Sequence, residues 1–408
     1  MNYKRTINAC YMSYISHAVL NNLPALLFAL LSRNFGLSHE QLGRLVLINF
    51  ATRFAIDILA IRLADKAGYR RCLVTAHALA ALGLALFGVL PMLLPGHLVY
   101  TGLSLTMVVF SAAGGLIQVL VSPIINQISG HLGPGAMTLL HSFYPWGTLI
   151  TITGTTIALQ FTPDHLWYVI PIAWTIVPLI TVRGFATAPM AEPRMLEQPS
   201  QPLRELARDH GFLLAVGLMV CAGMTEASMS QWSPFFVERG LGVSRMVGNL
   251  VGPGIASLIK ANVRMTYGKW ERKFPLERLL RAAAVGSMLC FAGMALIPHP
   301  ALALAACTLS GATIAMIWPG TVHRSAERFP RGGTAMFGML ALGGDMGAAS
   351  GPWTLGAVGD RAPEGNNRWF LTGALFPLGY LVLLLIDQMK HRRKRLNTET
   401  EDTHEQTT

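Results

Sequence analysis

Residues 62–71 read RLADKAGYRR and residues 264–273 read RMTYGKWERK. Each is a short basic segment between two long apolar runs, and the two start 202 residues apart. Working outward, other landmarks recur at nearly the same interval. GLSHEQLG (36–43) is echoed by GVSRMVG (242–248), 206 residues later, and the Gly115…Pro123 spacing recurs as Gly311…Pro319 after 196. An interval of half the chain implies two related halves, and a repeat of that kind in a membrane protein places the functional site at the seam between them.

Composition supports a membrane chain. Of 408 residues, 52% are hydrophobic and 13% charged, with a mean hydropathy of +0.44; soluble domains average about 25% charged. Apolar runs at 8–31, 42–61, 72–94, 98–123, 134–160, 166–183, 211–236, 244–262, 277–297, 300–322, 333–357 and 368–388 approach the roughly 20 residues that cross about 30 Å of hydrocarbon. Lipid offers no hydrogen-bond partners, so these spans are predicted to be helical. The expected fold is an all-α polytopic membrane protein with 12 transmembrane helices in two pseudo-symmetric six-helix bundles. Residues 1–183 form the first bundle and 211–388 the second. Residues 184–210, with Pro189, Pro193, Pro199 and Pro202, form a cytoplasmic linker. The tail 389–408, basic and then acidic, is predicted to be disordered.

Charge predicts the orientation. With both termini in the cytoplasm, 25 of the 32 Lys and Arg residues fall in inside segments, Lys260 and Arg264 among them. Six fall outside (Arg33, Arg44, Arg239, Arg245, Arg361, Arg368), and Arg53 lies within a span. Such a bias follows the positive-inside rule and places the chain in the cytoplasmic (inner) membrane. The net charge of +11 then reflects topology and contact with anionic lipid headgroups, not nucleic acid. Five cysteines without a CxxC pair imply neither a disulfide framework nor a zinc site, and no Walker loop is present. No metal or cofactor is expected, and ATP-driven pumping is disfavoured.

In RLADKAGYRR, Gly68 permits a tight turn, and Asp65 can accept hydrogen bonds from a helix N-terminus or from arginine. Asp65, Lys66, Gly68, Arg70 and Arg71, with Arg264 and Lys269 of the echo, form a candidate cytoplasmic gating loop. The alternative is a solvated basic loop without a gating role. The echo has Tyr267 where an acid would complete a second latch.

The segment resembles the signature loop of the major facilitator superfamily, GxLADRxGRR, with Leu63, Ala64, Asp65, Lys66, Gly68 and Arg70 matching; Ile61 and Tyr69 depart from it. Four stretches resemble the bacterial fucose–galactose–proton symporter-like permeases: MTLLHSFYPWG (137–147), GMTEASMSQW (223–232), GLGVSRMVGNLVGP (240–253) and IWPGTVHRSAERFPRGGTAM (317–336). The resemblance implies the major facilitator fold and transport of a small solute, a sugar among the possibilities.

Ionisable groups inside a span are costly, about 2.5–3.5 kcal/mol on insertion scales, so each needs a reason. Glu226 and Asp345 fall near the middle of their spans and are candidate proton-coupling or substrate carboxylates. Arg53 and Asp57, four apart, share a helix face and can neutralise each other; the alternative makes Arg53 an anchor for substrate or a carboxylate. Around them, His17, Asn21, Asn49, Gln118, His141, Tyr144, Trp146, Gln231 and Trp318 supply hydrogen-bonding and stacking groups for a central cavity. A lone buried histidine is more often a packing residue than a ligand, which discounts His17 and His141.

The expected function is secondary active transport by alternating access, with protons and a small polar solute as partners and no enzymatic activity. A two-half bundle of this kind can act as a monomer. Proton-antiport efflux of amphipathic compounds shares the fold and would need a cavity lined mainly by Met, Phe and Trp. A non-transporting sensor or enzyme would need a signalling domain or convergent catalytic groups, and neither is legible.

Overall fold

A computed structural model describes residues 3–128, 136–190, 203–270, 274–329, 333–363 and 367–405. Among them the chain is helical throughout, without strands. The first half contains α1 (Lys4–Phe35), α2 (His39–Ala67), α3 (Tyr69–Leu93), α4 (Gly96–Ile128), α5 (Ala136–Phe161) and α6 (Val169–Thr187). The second contains α7 (His210–Phe235), continuing through a π-helical turn to Gly240, then α8 (Arg245–Asn249, a π-helical turn Leu250–Gly254, and Ile255–Trp270). It closes with α9 (Leu276–Leu296), α10 (Pro300–Ile314 and Ile317–Arg328), α11 (Gly333–Gly359) and α12 (a 3-10 turn Asn367–Ala374 and Leu375–Glu405).

The internal repeat is written into the backbone. Gly36, ending α1, and Gly242, ahead of α8, both adopt left-handed conformations, with φ of 64° and 63°. The third left-handed glycine among the described residues is Gly68, φ 82°, at the sharp turn from α2 to α3. A side chain at any of these positions would be strained, because only glycine enters this region freely.

Among the described residues, eight helices are long and apolar enough to cross a membrane: α1, α3, α4, α6, α7, α9, α10 and α12. The four that fall short, α2, α5, α8 and α11, complete the expected twelve spans. They fall short for a structural reason. α2 packs along α11 and α5 packs along α8, so each of these helices turns one face to the other half. α2 accordingly tolerates Arg53 and Asp57, α8 tolerates Lys260 and Arg264, and α11 is rich in glycine. At the periphery the balance reverses. The spans of α6 and α12 are only 33% and 39% buried, and Leu105, Leu179, Leu289 and Leu309 are exposed as a lipid-facing surface.

Close packing of α7 against α11 depends on glycine. Gly343, Gly347 and Gly351 recur every fourth residue on α11 and meet Val216, Val220 and Met224, spaced likewise on α7. A Cβ on Gly347 would overlap the Val220 carbonyl. Small residues at this spacing let helix backbones approach, which drives association where lipid removes the hydrophobic incentive. Asp345, two residues from both Gly343 and Gly347, is turned by about 200° onto the opposite face, toward α2.

Two expectations need correction. α8 extends to Trp270, well past the predicted end at 262, so Arg264, like Lys260, lies within a helix and not in a loop. The last helix runs to Glu405, where a disordered tail from 389 was expected. No glycine or proline follows Gly379, so nothing in the sequence interrupts the helix. Of the linker, 191–202 lies outside the described residues; Leu203–Leu206 forms one helical turn.

Candidate functional site: a charged cavity at the seam

A cavity of about 190 Å³ lies between the halves. Its wall includes Asn21 and Asn22 of α1, Phe50 and Arg53 of α2, Gln118 of α4, Tyr144 and Thr148 of α5, Glu226, Ser230 and Gln231 of α7, Lys260 and Arg264 of α8, Trp318 of α10, and Asp345 of α11. A recess of about 30 Å³ continues from it past Leu26 and Met229, away from the termini.

Two ionic clusters stand on this wall. In the first, Arg53 crosses the seam. Its Nη2 donates to Asp345 Oδ1 at 2.9 Å and its Nη1 to Asn21 Oδ1 at 3.3 Å, while the guanidinium lies 4.3 Å from the Phe50 ring. Arg53 and Asp345 are both buried, with side chains 6% and 1% exposed. Asp57 therefore does not pair with Arg53 as helix spacing suggested. It lies beside Asp345, and Asp57 Oδ1 and Asp345 Oδ2 are buried without a hydrogen-bond donor.

In the second cluster one acid holds two cations. Glu226 Oε1 accepts from Lys260 Nζ at 3.2 Å, and its two oxygens accept from Arg264 Nη2 at 2.9 and 3.1 Å. A proline fixes the arginine. Pro319 has no N–H, so the Ala315 carbonyl four residues earlier loses its helical donor, and Arg264 Nε fills the vacancy at 2.9 Å. Lys260 was missed by the sequence reading, and Arg264 was assigned to gating. The available signal was spacing: the pair is four apart, on one face of a helix, opposite a mid-span acid.

The predicted neutral set divides. Asn21 is the hub: its amide nitrogen donates to Tyr144 Oη (3.2 Å) and contacts His17 Nε2 (3.1 Å), while its backbone carbonyl accepts from Gln231 Nε2 across the seam (2.9 Å). Gln118 and Trp318 also line the cavity. His17 lies buried behind Asn21, off the wall. Asn49 is buried in α2 and does not reach the cavity. Trp146, two residues from Tyr144, points away and is exposed, since a helix turns through about 200° over two residues. His141 contacts Tyr14 Oη through Nδ1 at 3.3 Å, below the cavity.

The predicted gating loop is partly described. Arg70 donates to the carbonyls of Phe185, Ala186 and Ala188, capping the C-terminus of α6 within its own half. Arg71 is exposed. The side chains of Asp65, Lys66 and Lys269 lie outside the described residues.

Beyond the cavity, the end opposite the termini is closed by bonds between halves. Arg33 on α1 donates to Glu238 (2.8 Å) and to Asp164 (3.1 Å), and Glu238 also accepts from Arg245 Nε (3.0 Å). Asp360, after α11, accepts from the backbone N–H groups of His39 and Glu40 at the start of α2 (2.6 and 2.7 Å). His39 Nδ1 stands 2.9 Å from the same carboxylate, against Trp232, Phe235 and Trp369.

Comparison with known proteins agrees with this architecture. The family model of the Major Facilitator Superfamily matches residues 10–352, and the chain belongs to that family. It is an integral membrane protein of that type. No curated protein matches the chain. Among solved structures, the nucleoside transporter NupG is similar at a TM-score of 0.72 and 12% identity, covering 95% of this chain and 98% of that one. The D-xylose-proton symporter reaches 0.75 at 16% identity, covering 95% and 97%. The E. coli fucose:proton symporter FucP reaches 0.63 at 18%, covering 95% and 99%. At such identities the likeness concerns the fold.

Proposed function

We propose that the chain is a secondary active transporter, not an enzyme, that carries a small polar solute across the cytoplasmic membrane by alternating access. Protons drive the movement, and both termini face the cytoplasm. The observation that carries this reading is a charged cavity at mid-membrane between two repeated halves, with ion pairs closing its far end. In this orientation the closed end is the outer one. The shared fold of the xylose-proton and fucose:proton symporters, and the resemblance to the symporter-like permeases, favour symport of a sugar-like solute.

Asp57 and Asp345 supply a proton site. Each has a buried oxygen without a donor, and a single proton held by the pair would supply one while balancing two carboxylates against one arginine. When the cavity opens to the other side, water restores both charges and releases the proton. Efflux of amphipathic compounds is disfavoured, because amides, carboxylates and cations dominate the wall and Phe50 and Trp318 are its large apolar members.

The test uses proteoliposomes containing a pH dye and a panel of hexoses, pentoses, nucleosides and sugar acids. Solute addition should acidify the lumen with the wild-type protein and fail to do so with Asp57→Asn. Solute entry that moves no protons, and that Asp57→Asn leaves unchanged, would remove the coupling. Absence of entry for the entire panel would remove the transport reading.

A further inference from the structure

We infer that the transported solute is a monoanion whose carboxylate docks on Lys260 and Arg264, displacing Glu226. The inference rests on the transport reading above and names the class of solute.

The argument begins with charge. The wall and its immediate support hold three cations (Arg53, Lys260, Arg264) and three acids (Asp57, Glu226, Asp345). Fully ionised, they sum to zero, but unevenly. The Arg53 cluster carries one excess negative charge and the Glu226 cluster one excess positive charge. One proton on the Asp57–Asp345 pair neutralises the first cluster and leaves the cavity at +1. A neutral sugar would leave that charge uncompensated in a dry site. A monoanion would cancel it, whereas a dianionic phosphate monoester would overshoot.

Geometry agrees. Lys260, its side chain 8% exposed, is an ammonium held mid-membrane by one carboxylate oxygen. That burial is expensive unless the cation has a use. Arg264 is held by the Ala315 carbonyl through Nε, which leaves its Nη2 edge presented to an acid. Glu226 therefore occupies the position that a ligand carboxylate would take. A soluble carboxylate entering the cavity takes over these donors, and Asn21, Gln118 and Gln231 remain for its hydroxyls. The groups facing the proton pair are Arg53 on α2, with His17 of α1 behind it, and Gly115 on α4. The lysine and arginine of α8 face Glu226 on α7. Proton and anion thus bind separate clusters of one cavity and cross together without net charge.

The experiment is exchange of labelled D-glucuronate and D-glucose in proteoliposomes of the full chain, preloaded with the same compound unlabelled. Accelerated exchange of the glucuronate but not the glucose is expected. Lys260→Gln, which leaves Glu226 paired with Arg264, should weaken half-saturation by glucuronate about tenfold or more. Glu226→Gln, which removes the internal competitor, should tighten binding of glucuronate to the detergent-solubilised protein. Exchange of glucose but not glucuronate would overturn the inference and leave the transport reading intact. Glucuronate exchange indifferent to Lys260→Gln would also overturn it. If neither compound exchanges while the preparation unfolds cooperatively on heating, this inference fails, and the broader panel above decides the transport reading separately.

Discussion

Arg53 and Asp345 are 292 residues apart in sequence, yet their side chains meet at 2.9 Å in the middle of the bundle and join the two halves through a buried ion pair. Removing the arginine strands the acids. Arg53→Met leaves Asp345 and Asp57 side by side without a cation and should cost about 3–5 kcal/mol. Asp345→Asn should cost less, because Asp57 on the same helix as Arg53 can take its place. Thermal unfolding in detergent measures the difference; equal losses would show that Asp57 is no substitute.

Gly347 offers a packing test with an internal control. Gly347→Ala drives a methyl group into the Val220 carbonyl and should destabilise by about 1–3 kcal/mol. Gly338→Ala on the same helix meets nothing within 4 Å and should be neutral or slightly stabilising. Unfolding midpoints of the two variants, compared with wild type, read the contrast directly.

Pro319→Ala restores an amide donor to the Ala315 carbonyl and should displace Arg264 Nε from it. The freed guanidinium loses its orientation, so half-saturation by an anionic solute should weaken severalfold while the protein becomes no less stable. Exchange kinetics and thermal unfolding on one preparation separate these effects.

The fold was legible in the sequence because hydrophobic runs of spanning length and a half-chain repeat are local and additive signals. The site was legible only in part. Arg53 and Asp57 satisfy the i, i+4 rule, but the acid that wins is on another helix, and no local pattern encodes that pairing. Lys260, near the end of its predicted span, and Arg264, beyond it, both counted as inside charges because a basic residue deep in a helix reads like one in a loop until the helix end is known. Tyr144 and Trp146 were taken together, and two residues of helical rotation sent them to opposite sides. Asn21 and Gln118 were found because an amide in a span is costly wherever it points.

Glu238 ties α1 to the second half by accepting from both Arg33 and Arg245. Glu238→Ala should favour opening at that end. Spin labels on the turn after α1 and on the turn before α8 should report a longer mean separation than in wild type. An unchanged distribution would assign the closure to the Asp360 contacts.

Asp360 gives that closure a defined acid limit. Burial pushes its carboxyl up, but hydrogen bonds from Ser38, from the backbone of Glu40 and His39, and from the His39 ring outweigh burial and hold it below the usual range. With the folded value below the unfolded one, its stabilisation is complete at neutral pH and disappears as pH falls through the folded value. Asp360→Asn should therefore lose about 1 kcal/mol at pH 7. That deficit should persist to about pH 5 and shrink below about pH 4, as thermal unfolding across pH 3–7 would report.

The glycine row between α7 and α11 has a mechanical consequence. Backbones in such contact cannot slide past one another without collision, so Glu226 and Asp345 ride on a single stiff yoke. In the alternating-access cycle proposed above, any rocking that exposes one acid to a compartment carries the other along, so the cargo site and the proton site open together.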